Sequence, residues 1–244
     1  MIVTGGGRGI GAATARLAAA QGYAVCVNYR TDAKAAEAVA AEITDGGGRA
    51  IALQADVADE GAVEQLFAAV DRQLGPITAL VNNAGLTGLA GRLDDVDGDT
   101  LRRVTAANVL GVFYCARAAV QRMSRKHGGE GGGIVNLSSG AATLGSANTY
   151  VWYAATKGAV DSFTIGLSKE VAGEGIRVNA VAPGFIKTEI HASSGMPDRM
   201  ETEGHTVPIG RPAEAEEVAE PILWLLSDEA SYVTGTILRV AGGR

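Results

Sequence analysis

Tyr153 and Lys157 stand four residues apart in the run YAATK. On a helix that spacing puts both side chains on one face, one turn apart. A phenol ordinarily holds its proton until about pH 10. An ammonium about 5 Å away favours the phenolate by roughly 3 kcal/mol at an effective dielectric near 20, or about 2 pKa units. The spacing therefore predicts a phenol tuned toward working pH and able to exchange a proton with an alcohol or a carbonyl. Tyr and Lys share many helix faces without any chemistry. This pair is singled out by its company: a serine pair, Ser138–Ser139, just upstream and a glycine-rich loop at the start of the chain.

That loop, TGGGRGIG from Thr4 to Gly11, follows an apolar strand and opens an Ala-rich helix. Gly5, Gly9 and Gly11 let the backbone turn tightly and approach a pyrophosphate, with Arg8 and Ile10 between them. The helix N-terminus behind them offers free N–H groups and a positive dipole end. A Gly-rich turn can also be only a turn; the strand–loop–helix context is what points to a dinucleotide. No Lys-Ser/Thr pair follows at the spacing of an ATP-binding loop. The second strand ends in Asn28, Tyr29 and Arg30, where NAD sites usually carry an acidic residue for the ribose. Asp32 comes slightly late. Arg8 and Arg30 suit a 2′-phosphate instead, so NADP is expected over NAD, which stays possible. Arg30 can equally be a solvated surface residue. Asp56 is read as an acceptor for the adenine amine beside Val57, or as a cap on the next turn. Asn83, Ala84 and Gly85 after the fourth strand are small or turn-forming, which lets backbone approach the cofactor.

These motifs need a frame. The 244 residues, 47% hydrophobic, suit one domain spanning 1–244. Short apolar runs (1–3, 24–28, 50–54, 79–82, 133–138, 177–182, 236–240) alternate with amphipathic stretches (10–21, 32–46, 61–74, 99–126, 151–173, 214–226). The alternation predicts an α/β fold with a doubly wound parallel sheet of about seven strands, helices on both faces and right-handed crossovers. Pro221 predicts a kink or break in the last helix. The first strand reads as though its start were trimmed by a residue or two.

A net charge of −6 argues against a nucleic-acid or anionic-membrane partner. No run is long enough to cross a bilayer, and MIVTGGGRGIG carries no leader pattern. Cys26 and Cys115 lie in apolar segments and read as buried free thiols of a reducing cytoplasm.

Taken together, TGGGRGIG, NNAG, Asn108, Ser138–Ser139, YAATK and the Pro183–Gly184 turn, in this order over nearly the whole chain, resemble the classical short-chain dehydrogenase/reductase family. NYR, GSANTYVWYAATK and SYVTGTILRVAGG look closest to bacterial glucose-dehydrogenase-like or 3-oxoacyl-carrier-protein-reductase-like members. The resemblance implies a Rossmann sheet, a nicotinamide cofactor, a small carbonyl or alcohol substrate and a homotetramer or homodimer. It makes Tyr153 the acid/base and has Lys157 lower the phenol's pKa and bond the nicotinamide ribose. Ser139 holds the substrate oxygen, and Asn108 anchors a water linking Lys157 to solvent. Pro183, Gly184, Ile186 and Thr188 line the nicotinamide amide. The family spaces its serine thirteen residues before the tyrosine, whereas Ser139 stands fourteen before Tyr153. Either the loop through 146–150 holds an extra residue or Ser138 shares the role; the extra residue is preferred, because Ser139 follows its strand as the family's serine does.

Other chemistries fit less well. NLSSG lacks the glycine two residues before a nucleophilic serine. His127, His191 and His205 show no metal spacing and are expected to face water. Asp94, Asp95, Asp97 and Asp99 suit a solvated loop and helix cap better than a cation site. The polar segment 188–207 suits a mobile lid or an ordinary loop. A dinucleotide sensor without turnover is the alternative from another class; it would be expected to have lost Tyr, Lys or Ser.

Overall fold

The computed structural model describes residues 1–244. Seven strands, β1 (Ile2–Val3), β2 (Ala24–Tyr29), β3 (Arg49–Gln54), β4 (Ala79–Asn82), β5 (Gly132–Leu137), β6 (Ile176–Pro183) and β7 (Ile237–Val240), form one sheet. Its order is β3-β2-β1-β4-β5-β6-β7, and every pairing is parallel. Ten helices connect or flank them: α1 (Gly9–Ala20), α2 (Ala33–Asp45), α3 (Glu60–Leu74), α4 (Gly98–Thr105), α5 (Gly111–Met123), α6 (Ala141–Leu144), α7 (Val151–Val171), α8 (Ile190–Ser193), α9 (Arg199–Glu203) and α10 (Glu216–Leu226).

Strand side chains alternate between two cores. Val3, Val25, Val27, Val81 and Val135 pack with α1, α2 and α10 on one face. Ile2, Cys26, Leu80 and Ile134 pack with α3 and α5 on the other. A sheet covered on both faces needs such unbroken apolar runs. Aspartates start three of the helices: Asp32, Asp59 and Asp97 accept from Ala35, Ala62 and Thr100 N–H at 2.7–3.1 Å, each cap being worth about 1 kcal/mol. The acidic run therefore caps α4, and Asp94 pairs with Arg92 at 2.9 Å. Both cysteines are buried free thiols, pushed up to about 12 by burial. No helix is long and apolar enough to cross a membrane.

The structure differs from expectation in two helices. The predicted single helix 99–126 is split: a π-helical turn, Ala106–Leu110, separates α4 from α5. Such turns carry an extra residue and re-aim the side chains within them. Pro221 does not break α10, which runs unbroken through it. Losing one helical hydrogen bond at a proline costs about 3 kcal/mol. Burying Val218, Ile222, Leu223 and Leu225 at roughly 1.5–3 kcal/mol each outweighs that.

β1 leads outward through β2 to β3, then the chain crosses back to β4 and builds β5 to β7 on the other side. Where the order reverses, between β1 and β4, the loops leave in opposite directions and open a crevice at the carboxyl ends of the strands.

Candidate active site

A cleft of about 1020 Å³ lies along that edge, lined by the residues that follow the strands. At its floor the phosphate loop is braced on three sides. Gly5 and Gly9 take φ +60° and +51°, a left-handed region that favours glycine. Asn83 Nδ2 donates to Thr4 O and Gly5 O at 2.8 and 3.0 Å. Thr4 Oγ1 accepts from the N–H of Asn83 and of Ala84, both at 3.0 Å. Asn28 is buried with its amide spent on backbone, accepting from Gly5 N–H at 3.4 Å and donating to Leu53 O and Ala55 O. It shapes the loop rather than offering a free group. Gly11 does not line the cleft. A Cβ there would stand 2.5 Å from Gly5 O and Asn83 Nδ2, so this glycine permits loop-to-helix contact instead of ligand approach. No side chain caps α1 at Arg8, which leaves its first N–H groups free for an anion. These features fit a dinucleotide pyrophosphate.

Gly5, Arg8, Gly9, Ile10, Tyr29, Arg30, Asp56, Val57, Asn83, Ala84, Gly85, Pro183, Gly184, Ile186 and Thr188 all line the cleft, as do Ser138, Ser139, Tyr153 and Lys157. Arg30 is half-exposed, with Nη1 4.0 Å from Asp56 Oδ2. Asp56 Oδ1 accepts from Ala58 N–H at 3.0 Å. The aspartate thus caps its turn and faces the arginine. Thr31 and Asp32 complete this end.

On α7, Tyr153 and Lys157 lie as their spacing predicts: Lys157 Nζ is 5.6 Å from the tyrosine ring centroid. Their electrostatics do not follow the prediction. Both side chains are buried. Burial pushes the Tyr153 phenol up to about 12, and the Ser139 hydroxyl pulls it only part of the way back. Burial likewise lowers Lys157 to about 8, against the opposing pull of Asp161. Desolvation penalises each charged form by more than the two charges gain from each other at this range. The phenol is therefore protonated at neutral pH, and Lys157 donates to Leu137 O at 2.6 Å.

A buried ammonium of this kind opposes folding. The penalty is full below about pH 8, the folded value, and fades as pH rises toward 10.5, where the unfolded lysine also loses its proton. Lys157→Met is expected to abolish turnover and yet raise stability at pH 7 by about 1 kcal/mol, or ~2–4 °C in Tm. A thermal melt with a lower Tm would show that the ammonium is a net asset to the fold.

The two serines face different neighbours. Ser139 lies by the Tyr153 phenol, and its Oγ accepts from Ala141 N–H at 3.1 Å. Ser138 lies by Asp161; Ser138 Oγ and Asp161 Oδ1 are buried without hydrogen-bond partners. The loop joining β5 to α7 holds Ser146 and Asn148 at φ 48° and 58°, a sparsely populated region for residues with a Cβ.

Asn108 sits in the π-helical turn, fully buried, and does not line the cleft. Its Oδ1 accepts from Leu86 N–H at 2.8 Å. Its two amide protons go to Leu86 O at 2.8 Å and Thr156 Oγ1 at 3.0 Å. The side chain thus braces the site, tying the loop after β4 to α7. A Cβ on Gly85 would stand 3.4 Å from Asn108 Oδ1 and 3.6 Å from Lys157 Nζ, so all three meet at one point.

Sequence reasoning missed the far wall. Tyr150 packs edge-on against Tyr153, centroids 5.3 Å apart, and accepts a hydrogen bond from Arg199 Nη1. No spacing rule links residues 150 and 199; only the fold brings them together. His191 does not face water as expected. It is buried against Phe185 and lowered to about 4, first by burial and then by the Arg199 charge. The segment 188–207 carries α8 and α9 and walls this end.

A doubly wound parallel sheet, a phosphate loop at its switch point and a buried phenol–serine–lysine cluster define a nicotinamide-dependent oxidoreductase. Residues 5–244 match a family model described as enoyl-(acyl carrier protein) reductase, and the chain belongs to the short-chain dehydrogenase/reductase family. An uncharacterized oxidoreductase, YgfF of Escherichia coli K12, is 52% identical over 243 residues, covering 100% of this chain and 98% of that protein. A 3-oxoacyl-[acyl-carrier-protein] reductase of Synechocystis sp. is 40% identical, covering 99% and 95%. A short-chain dehydrogenase of Burkholderia cenocepacia, solved in complex with NADP, superposes with a TM-score of 0.91 at 36% identity, covering 99% and 96%. The chain is an enzyme, and the alternative of a sensor without turnover finds no support.

Proposed function

We propose that residues 1–244 work as one domain that reversibly interconverts a small carbonyl compound and its alcohol, with NADP preferred over NAD. The carrying observation is the meeting of Tyr153, Ser139 and Lys157 in the cleft at the sheet's switch point. Bound nicotinamide supplies or accepts the hydride at the substrate carbon. In reduction the Tyr153 phenol gives its proton to the substrate oxygen, and in oxidation the phenolate takes it back. Ser139 Oγ holds that oxygen by a hydrogen bond, with Ser138 turned toward Asp161. Lys157 holds the nicotinamide ribose and keeps positive charge behind the phenol. Asn108 positions this group by bracing Gly85, Leu86 and Thr156. Arg8 and Arg30 would hold the 2′-phosphate of NADP, with Asp32 and Asp56 as the carboxylates at that end.

A protonated resting phenol gives the pH dependence a sign. Reduction has its acid ready at pH 7 and is expected to stay flat until pH passes about 8, then decline as Lys157 loses its proton. Oxidation is expected to rise steadily above neutrality as phenolate becomes accessible. Profiles of kcat/KM in both directions check this; an oxidation rate independent of pH from 6 to about 9 would remove Tyr153 as the base. A panel of ketones, aldehydes and alcohols with both cofactors, followed by nicotinamide absorbance, tests the activity itself. The sugar and 3-oxoacyl readings separate in the same panel.

Two further readings rest on composition and surface. Exposed Trp224, Ile209 and Tyr232 are apolar side chains that a homotetramer or homodimer would cover. Reduced buried thiols suit the cytoplasm. The segment 188–207 serves as the lid over substrate.

A further inference from the structure

The far wall of the cleft, beyond Tyr153, is cationic in a protein whose net charge is −6. Arg199 and Arg244 line it, both against Phe185, with the carboxylate of Glu203 beside Arg199. His191 beside them is neutral at pH 7.

Arg199 is the unusual member. Its side chain is only 10% exposed. The guanidinium lies 5.5 Å from the Tyr150 ring centroid and 5.0 Å from that of Phe185, and Arg244 stacks on Phe185 at 3.9 Å. A guanidinium so deeply placed calls for a well-formed anionic partner. Glu203 is a poor one. It is 42% exposed, and its Oε1 is 3.2 Å from Arg199 Nε but misaligned, since Nε has no hydrogen-bond partner. Its other oxygen lies 3.4 Å from Nη2. The remaining donor, Nη1, goes to the Tyr150 hydroxyl. A buried fork of five N–H groups with only one close bond, to Tyr150, and one long bond, to Glu203, matches a planar carboxylate.

Resting on the oxidoreductase reading above, we propose that the substrate carries a carboxylate that pairs with the Arg199 guanidinium, so that this enzyme selects oxo acids and hydroxy acids over their neutral analogues. One tyrosine ring, Tyr150, separates the cation from the acid/base phenol. That separation places the carboxylate a few carbon–carbon bonds from the reacting carbon. The apolar walls, Leu86, Leu144 and Phe185, take the chain between them.

The test compares levulinate and its next two homologues, each beside its methyl ester, with NADPH as reductant. The acid is expected to exceed its ester in kcat/KM by about 10- to 100-fold at one chain length at least, the range of a charge-assisted hydrogen bond. Arg199→Met should collapse that ratio toward one, mainly through KM, while Arg199→Lys recovers part of it. Glu203→Gln should lower KM for the acid by removing the competing carboxylate, and this variant serves if Arg199→Met does not fold. Esters reduced as well as acids at every length, or a ratio untouched in Arg199→Met, would overturn the proposal and leave the oxidoreductase reading standing. If none of the six compounds turns over, binding decides: displacement or quenching of bound NADPH fluorescence by hexanoate but not hexanamide supports the carboxylate site, and no preference overturns it. Failure of NADPH itself to bind would instead strike the cofactor reading.

Discussion

Tyr153→Phe is expected to lower kcat by about 10²–10⁴-fold in both directions, the range general acid–base catalysis supplies, while NADPH affinity changes by less than about twofold. The substitution removes one oxygen from a ring that keeps its packing. Tyr153 is held edge-on by Tyr150 at 5.3 Å and faces the Lys157 ammonium at 5.6 Å, and both contacts involve the ring. The cofactor's phosphates are expected at the opposite end, on the Gly5–Gly9 loop. Without the hydroxyl, Ser139 still holds the substrate oxygen, but no group at that point can deliver or remove a proton. Burial has raised the phenol to about 12, so its proton is bound tightly; the neighbouring ammonium is directed to Leu137 O. Steady-state kinetics and a fluorescence titration with NADPH measure the two quantities. Near-normal turnover in the phenylalanine variant would remove the phenol from the mechanism. A parallel loss of NADPH binding would make it a cofactor residue instead.

Arg30→Asp is expected to shift the ratio of NADP to NAD efficiency by about 100-fold toward NAD. The variant does two things at once. It removes a cation from the place where a 2′-phosphate is expected, at about 1.5–3 kcal/mol for a charged hydrogen bond, with 1.4 kcal/mol per tenfold. It also sets a carboxylate next to Asp56, which now stands 4.0 Å from the arginine, so two like charges meet any phosphate brought there. Because Arg30 is half-exposed, salt screens the effect and the measurement belongs at low ionic strength. The kcat/KM ratio for the two cofactors is the readout, with Tyr153-dependent turnover as the internal reference. An unchanged ratio would show that Arg30 is a solvated surface residue and would move the discrimination to Arg8.

Much of the frame was legible because it is written in short-range terms. Alternating apolar runs and Ala-rich amphipathic stretches can satisfy their backbones and bury their faces only as a layered parallel sheet. The acidic run 94–99 reads as a helix cap by a rule that operates over three residues, and Asp97 is that cap. The four-residue interval between Tyr153 and Lys157 sets their separation by helix geometry alone, and the loop Thr4–Gly11 announces a phosphate cradle through its glycines and its position between strand and helix.

What the chain alone left open depends on solvent exclusion and on contacts between distant segments. The spacing of Tyr153 and Lys157 predicts an acidic phenol, but desolvation, which comes only when sheet, α7 and the loop after β5 close around both groups, raises it instead. Asn108 reads as a polar residue in a long helix until the π-helical turn and Leu86 consume its hydrogen bonds. Gly11 belongs to the cradle by pattern yet serves packing, a distinction visible only against Asn83. His191 and Arg199 sit in a polar, lid-like run, and nothing local shows that Phe185, and Tyr150 some forty residues upstream, bury them. Local stereochemistry thus determined the class of the protein, and the closing of the tertiary structure decided which groups are charged, which are spent and where an anion could be received.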